Sequence, residues 1–242
     1  MDTIDISTIE EYLKLIKKSK EDNIRKGNFK DFLFRGQTVD SPLMPKLSRL
    51  EPRGDLLKIE RVILQEFKRS NPLLIEQHHA MDDWDYLTLG QHYGLPTRLL
   101  DWSNNALTAL WFATTNPGPF TRPETNYSVI WILMPEEEDH AVRMECVHPF
   151  DVPETKIVQP RIIKQRINNQ SGVFSIASSR ELAERSCIDQ TDAYRDKLIK
   201  VNIPAESFQD ILNDLNTLGV NAFTIFPELD GLCSYLQWRY FD

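Results

Sequence analysis

The sequence predicts a single α+β domain in which a mixed β-sheet is flanked by helices. Helical patterns dominate the first third of the chain, and strand and helix patterns mix after it, which is typical of α+β folds rather than of a regular βαβ repeat. No linker-like composition divides the 242 residues. With 41% hydrophobic and 26% charged residues, the composition indicates a globular chain with a core of ordinary size.

The first half of the chain predicts helices around one short strand. Ser7 and Glu10 have the spacing of a capping box, so we expect a first helix to begin at Ser7. The segment "DFLFRG", residues 31–36, predicts a short strand that ends at Gly36. The remaining patterns predict a helix over 55–70, a helix over 83–94 broken near Gly90 or Gly94, and an apolar helix after a strand near residue 100, with Asp101, Ser103 and Asn104 as candidate N-caps.

The second half predicts most of the sheet. The β-branched and aromatic content of "YSVIWILM", residues 127–134, indicates a central strand. "EEED" at 136–139 is expected to be an exposed turn. Further strands are expected at 172–178, at 197–204 before a helix, and at "NAFTIFPELDGL", residues 221–232, where the strand exits at Pro227 toward a short C-terminal helix.

The charge distribution limits the classes of partner. A net charge of −8 disfavours a protein that coats nucleic acid. The first 70 residues nevertheless carry 15 Lys and Arg against 12 Asp and Glu. This basic third is compatible with a local site for an anion, whereas solvated faces of ordinary helices are the simpler interpretation.

The lack of a recognisable targeting signal, together with the cysteine pattern, predicts a cytoplasmic protein. No apolar run approaches the ~20 residues that span a bilayer, so no membrane partner is expected. The N-terminus lacks a basic-then-apolar signal segment. The three cysteines, Cys146, Cys187 and Cys233, are odd in number and widely spaced, which favours a reducing compartment and a role as small core residues.

Standard catalytic signatures do not match this sequence. It has neither a phosphate-binding Gly-rich loop nor a dinucleotide fingerprint. His78, His79, Asp82 and Asp83 carry metal-ligand chemistry, but adjacent helical side chains point about 100° apart and do not converge on one ion. No bound metal is therefore expected, and a metal-dependent hydrolase or nuclease remains an alternative.

Two polar motifs stand out. In "FLFRGQ", Arg35 ends an apolar strand, either as an exposed side chain or as a guanidinium that grips an anion. In "QHYGLPTRLLDWS", residues 91–103, polar groups collect before an apolar helix. They predict either a capped helix with a structural Arg98–Asp101 ion pair or a polar wall beside a helix N-terminus that favours an anion.

Four segments together resemble the FRG domain family: "FLFRGQ", "QHYGLPTRLLDWSNNALTALWFAT", "NNQSGVFSI" and "FPELDGL". The resemblance covers roughly residues 30–235, so we expect an N-terminal helical segment, 1–29, packed on a domain over 30–242. The family's occurrence in bacteria and their phages implies a toxin or a phage-defence effector, with an antitoxin or another regulatory partner.

A more distant resemblance implies chemistry. "FLFRG" is similar to the strand that carries the first arginine of ADP-ribosyltransferases of the Arg–Ser–Glu type, and "LLDWSNNALTALWFA" is similar to their Ser-Thr-Ser strand and following helix. This resemblance implies split β-sheets, NAD as the substrate, Arg35 on the pyrophosphate or adjoining ribose, and Ser103 as a brace. The third, catalytic position falls to Gln170 by chain order or to Glu228 by charge.

The remaining expected NAD contacts surround these residues. His92, Tyr93 and Trp102 are expected at the nicotinamide and adenine rings, with Tyr93 and Trp102 equally acceptable as core residues; Gly36, Gln37, Arg98 and Asp101 are expected to line or support the site. The expected function is transfer of ADP-ribose from NAD to a macromolecular acceptor, either a protein or a nucleic acid (RNA or DNA). The alternative is a non-catalytic module that binds a nucleotide or phosphate.

Overall fold

The computed structural model describes residues 2–70, 80–115, 126–141, 147–159, 161 and 172–241. It has a mixed α/β architecture, with one seven-stranded mixed sheet flanked by helices. The strands are β1 Asp2–Asp5, β2 Leu33–Gln37, β3 Leu99–Ser103, β4 Tyr127–Leu133, β5 Lys156–Val158, β6 Gly172–Ile176 and β7 Leu198–Pro204. Their order is β1-β7-β4-β2-β3-β6-β5, and only β1 and β7 are parallel.

Helices flank this sheet on both faces. In the described ranges they are α1 Ile9–Arg25, α2 Lys46–Arg49, α3 Leu56–Ser70, α4 Asp83–His92, α5 Ala106–Thr114, α6 Ser179–Ala183, α7 Asp192–Arg195, α8 Phe208–Thr217, α9 Ala222–Ile225 and α10 Leu229–Phe241. None of these helices has the length and apolarity needed to cross a bilayer. The predicted helix over 55–70 and the predicted strands at 127–134, 172–178 and 197–204 are confirmed to within one or two residues.

The sheet has one weak junction. β2 and β3 pair at a single position, Phe34 with Ser103, whereas every other neighbouring pair of strands shares at least three paired positions. The strands form one continuous sheet rather than the expected split sheets, and β2 and β3 are its most weakly paired neighbours. Beyond their single pair the two strands leave a gap.

Helix α5 packs directly on β2 because Gly36 lacks a side chain. A Cβ on Gly36 would lie 1.9 Å from the carbonyl oxygen of Ala109 and 2.7 Å from the backbone nitrogen of Ala113. Only glycine allows this approach of backbone to backbone. The predicted strand also continues through Gly36 to Gln37, so Gly36 serves helix packing and does not end the strand.

The N-terminal prediction was wrong by one residue and lacked a strand. Residues 2–5 form β1 on β7, and the amide of Ile6 continues the pairing by donating to Asn202 at 3.0 Å. The chain therefore stays extended up to Thr8, whose hydroxyl caps α1 by accepting from the amide of Glu11 at 3.2 Å. The cap is Thr8 rather than Ser7, and the first 29 residues supply an edge strand as well as a helix.

The strand predicted at "NAFTIFPELDGL" is wrong, because this segment is helical. Asn221 caps α9 by accepting from the amides of Phe223 at 3.1 Å and Thr224 at 3.2 Å. Pro227 lies between α9 and α10. Gly231 then lets α10 contact α9, since a Cβ there would lie 1.9 Å from the carbonyl oxygen of Phe226.

Three smaller expectations also need correction. α4 continues unbroken through Gly90, so the break expected there is wrong, whereas the helix does end at His92, close to Gly94 with its φ of +83°. The "EEED" turn is not wholly exposed, because Asp139 is buried and accepts from Lys197 Nζ at 2.8 and 3.0 Å. Of the expected core cysteines, Cys187 is buried and Cys233 is exposed, while Cys146 lies outside the described residues.

Candidate functional site

A cleft of about 320 Å³ opens where β2 and β3 separate. Its walls come from β2, α4, β3, α5 and β6, so the weak junction in the sheet positions all of them around one space. The lining residues are Phe34, Arg35, Gly36, Gln91, His92, Asp101, Trp102, Ser103, Thr108, Ala109, Phe112, Gly172 and Phe174.

Arg35 crosses the gap between the two strands. Its Nη1 donates to the backbone carbonyl of Asp101 at 2.8 Å and lies 3.8 Å from Oδ2 of that residue. The side chain is 17% exposed, and its buried Nε has no hydrogen-bond partner among the described residues. Burial lowers the pKa of Arg35; Asp101 raises it and the charge of Arg49 lowers it further.

The unpartnered Nε matters energetically. A buried donor without an acceptor costs about 1–3 kcal/mol, and native proteins contain few of them. The guanidinium presents five N–H donors in a planar fork. Arg35 therefore brings to the cleft lining a donor that no described group uses.

Asp101 presents the carboxylate of this cleft and is held in place by α4. Gln91 Nε2 donates to Asp101 Oδ2 at 2.9 Å. Gln91 in turn accepts at Oε1 from the hydroxyl of Thr97 at 2.6 Å. The carboxylate is 57% exposed, so it is positioned by protein contacts while open to the cleft.

Arg98 has a structural role away from the cleft. Its Nε and Nη2 donate to the two carboxylate oxygens of Glu60 at 2.8 and 2.5 Å, and its side chain is 1% exposed. Nη1 donates to the carbonyl of Ala177 at 3.2 Å. The expected Arg98–Asp101 ion pair is therefore wrong, and Arg98 does not line the cleft.

Ser103 and Trp102 are largely buried at the cleft floor. Ser103 Oγ accepts from the amide of Asn105 at 3.0 Å and so shapes the turn into α5. Asn105 caps that helix, so the candidate N-caps Asp101, Ser103 and Asn104 are each wrong. Trp102 Nε1 donates to Ser175 Oγ at 3.0 Å, and its ring packs mainly in the core beneath the sheet.

The other expected site residues divide into those near the cleft and those away from it. His92 lines the cleft, and its ring packs edge-on against Tyr93 at 4.9 Å, while Tyr93 itself is 58% exposed and outside the lining. Gln37 lies outside it and accepts from Trp131 Nε1 at 2.8 Å.

Glu228 is exposed between α9 and α10 and is not a lining residue. Gln170 lies outside the described residues.

Sequence reasoning missed the aromatic wall of the cleft. Phe112 and Phe174 line it, as do Gln91 and Thr108. Thr108 and Phe112 are one helical turn apart, a spacing that would have placed them on one face of α5. Phe112 packs edge-on against Phe226 at 6.0 Å, so the "FPELDGL" segment supports this wall from behind.

The residues considered for a metal site have other partners where they are described. Asp82 caps α4 by accepting from the amide of Asp85 at 3.0 Å. Asp83 pairs with Lys68 and with His148 Nε2, the latter at 2.7 Å. Across the described ranges, no three His, Cys, Asp or Glu side chains are grouped to hold an ion. His78 and His79 lie outside these ranges.

Comparisons with known proteins include a match to a family model. No curated protein and no solved structure matches the chain. The family model described as FRG domain matches residues 30–122, a shorter span than the expected 30–235. The matched span includes β2, α4, β3 and α5, which supply most of the cleft, whereas "NNQSGVFSI" and "FPELDGL" lie beyond it. The FRG domain match at residues 30–122 thus covers the part of the chain from which the cleft is mainly built.

Proposed function

We propose that the cleft between β2 and β3 binds NAD and that the protein transfers ADP-ribose from NAD to a macromolecular acceptor. The observation that supports this proposal most is Arg35, which lines the cleft with a buried, unpartnered Nε. A guanidinium binds phosphate oxygens through two parallel N–H groups, which a lysine ammonium does not reproduce. Arg35 is therefore assigned to the pyrophosphate of NAD.

The rest of the lining suits the remaining parts of this ligand. Phe112 and Phe174 offer apolar surface for an aromatic ring, and His92 adds a polar edge. At about 320 Å³ the cleft lies near the lower end of ligand pockets, which span about 300–1,000 Å³. This size suits the nicotinamide half of NAD, with the adenosine half toward the open mouth.

The proposed transfer does not require a covalent intermediate with the protein. The bond between the ribose C1′ and the nicotinamide nitrogen breaks, and its electron pair leaves with nicotinamide. An oxygen or nitrogen of the acceptor bonds to C1′ and releases its proton to solvent. Positive charge develops on the ribose in such reactions, and a nearby carboxylate stabilises it.

A labelling experiment tests this proposal. The protein is incubated with NAD labelled in its adenylate part, and separately with cell protein, RNA and DNA. We expect one fraction to take up label with matching release of nicotinamide, and Arg35→Ala to abolish both. The basic first third of the chain favours a nucleic acid as the acceptor.

Two outcomes would contradict the proposal in different ways. Binding of NAD without label transfer or nicotinamide release would favour a non-catalytic nucleotide-binding module. If the protein does not bind NAD, then NAD is not the ligand of this cleft. A calorimetric titration of NAD, made in parallel with the labelling, separates these two results.

A further inference from the structure

The cleft carries two opposite charges side by side. Arg35 and Asp101 both line it, with Nη1 of the arginine 3.8 Å from Oδ2 of the aspartate. A cleft that only bound phosphates would gain nothing from a carboxylate at this position, because like charges repel. The arrangement instead suits a ligand that is itself both cationic and anionic.

The carboxylate of Asp101 does not form a hydrogen bond with Arg35. The hydrogen bond from Arg35 goes to the backbone carbonyl of Asp101, at 2.8 Å, and the 3.8 Å to the carboxylate is too long for a hydrogen bond. Gln91 donates to Oδ2. Oδ1 has no hydrogen-bond partner within the described part of the chain, so one carboxylate oxygen is open to a ligand.

Neighbouring groups fix the direction of this carboxylate. Thr97 Oγ1 accepts from the amide of Leu99 at 3.1 Å, so its hydroxyl hydrogen is directed to Gln91 Oε1 at 2.6 Å. With its oxygen taken, the Gln91 amide presents Nε2 to Asp101. Thr97 is buried and Gln91 lies on α4. The hydrogen bond from Gln91 therefore holds the Asp101 carboxylate in a fixed orientation.

We propose that Asp101 recognises the cationic nicotinamide ring of NAD, while Arg35 takes the neighbouring phosphate. This inference rests on the proposed binding of NAD. In NAD the positive ring and the negative phosphate are separated by one ribose, which matches a carboxylate and a guanidinium on adjacent strands. NADH has a neutral ring, so the cleft selects the oxidised form. Glu228, exposed and outside the lining, has no part in this selection.

Titrations of NAD and NADH test the proposal, because the two ligands differ in the charge of this ring. We expect the protein to bind NAD about two- to fivefold more tightly than NADH, a modest factor because Asp101 is exposed to solvent. Asp101→Asn keeps the shape and the backbone contact to Arg35, and should bring the ratio close to one, mainly by weakening NAD. Glu228→Gln is the matched control and should leave the ratio unchanged.

A second measurement does not depend on how any variant folds. If a charge pair produces the preference, added salt should reduce the NAD-to-NADH ratio of the unaltered protein, because screening acts on exposed pairs. A ratio that is insensitive to salt, or one that survives Asp101→Asn, would overturn the assignment. A ratio lost in Glu228→Gln instead would transfer the role to that residue.

The inference and the proposed function fail differently. Equal binding of NAD and NADH by the unaltered protein overturns the role of Asp101 and leaves the NAD cleft intact. Binding of neither ligand overturns both.

Discussion

Nη1 of Arg35 on β2 donates to the carbonyl oxygen of Asp101 on β3 at 2.8 Å, across the point where the two strands separate. Backbone pairing between these strands is limited to Phe34 and Ser103. Beyond that pair, the hydrogen bond from the Arg35 side chain connects the two strands. The guanidinium thereby connects both walls of the cleft. A change at Arg35 is therefore expected to affect stability as well as binding, and the two must be measured separately.

Gly36→Ala should destabilise the fold severely. The new Cβ would meet the backbone of α5 at 1.9 Å, and a backbone carbonyl cannot swing aside as a side chain can. We expect a loss of at least about 3 kcal/mol in the free energy of unfolding, or no folded protein. Denaturant unfolding measures this.

Gly219→Ala is the control for that variant. Gly219 has φ +82°, and a Cβ there would have no atom within 4 Å, so only backbone strain of about 1–2 kcal/mol is expected. Equal costs at the two glycines would contradict the close packing of α5 on β2.

The buried Arg98–Glu60 pair should behave as a structural unit. Glu60→Leu or Arg98→Met alone leaves an uncompensated buried charge, and each should cost about 3–5 kcal/mol of unfolding free energy. The double variant should lose less than the two single variants together, because it removes both charges. Additive costs in this double-mutant cycle would contradict the pairing.

Asp83 should make stability depend on acidic pH. Burial raises the pKa of Asp83, but the hydrogen bonds from Lys68 and His148 outweigh it, so the pKa lies below its usual value. Phe150 N donates to His148 Nδ1 at 3.1 Å, which leaves Nε2 as the donor to Asp83.

A depressed carboxyl pKa contributes stability above the unfolded-state pKa, about 3.9, and this contribution is lost as pH falls through the folded-state pKa. The difference in unfolding free energy between the unaltered protein and Asp83→Asn should therefore be constant near neutral pH and shrink below about pH 4. A difference that stays constant to pH 2 would show that Asp83 titrates normally.

The sequence predicted the elements with strong local patterns. The strand around Arg35, the helix over 55–70 and the strand at 127–134 follow from apolar periodicity and β-branched content, which depend on neighbours in the chain. The convergence of Arg35, His92, Asp101 and Ser103 on one cleft was expected from the resemblance to ADP-ribosyltransferases and not from the local sequence patterns.

The errors arose where distant contacts decide the structure. The N-cap is Thr8 because β1 pairs with a strand almost two hundred residues away, a partner that local spacing cannot reveal. Arg98 and Asp101 are close in sequence, yet Arg98 faces Glu60 on α3 and Asp101 faces the cleft. The error at 221–232 is of another kind, because the features that make this segment helical, the Asn221 cap and the contact of Gly231 with Phe226, are local in sequence.

The most direct test of the account is the affinity for NAD of Arg35→Lys and Arg35→Ala, measured by titration on protein whose melting temperature has been checked. Arg35→Lys keeps the charge but loses the planar fork, so both variants should weaken NAD binding about ten- to a hundredfold, which corresponds to one charge-assisted hydrogen bond or two. Arg25→Lys, an exposed arginine on α1, should change nothing. If Arg35→Lys binds NAD as tightly as the unaltered protein, or if the loss of affinity disappears once the unfolded fraction of each variant is corrected for, Arg35 has only a structural role and the account is contradicted.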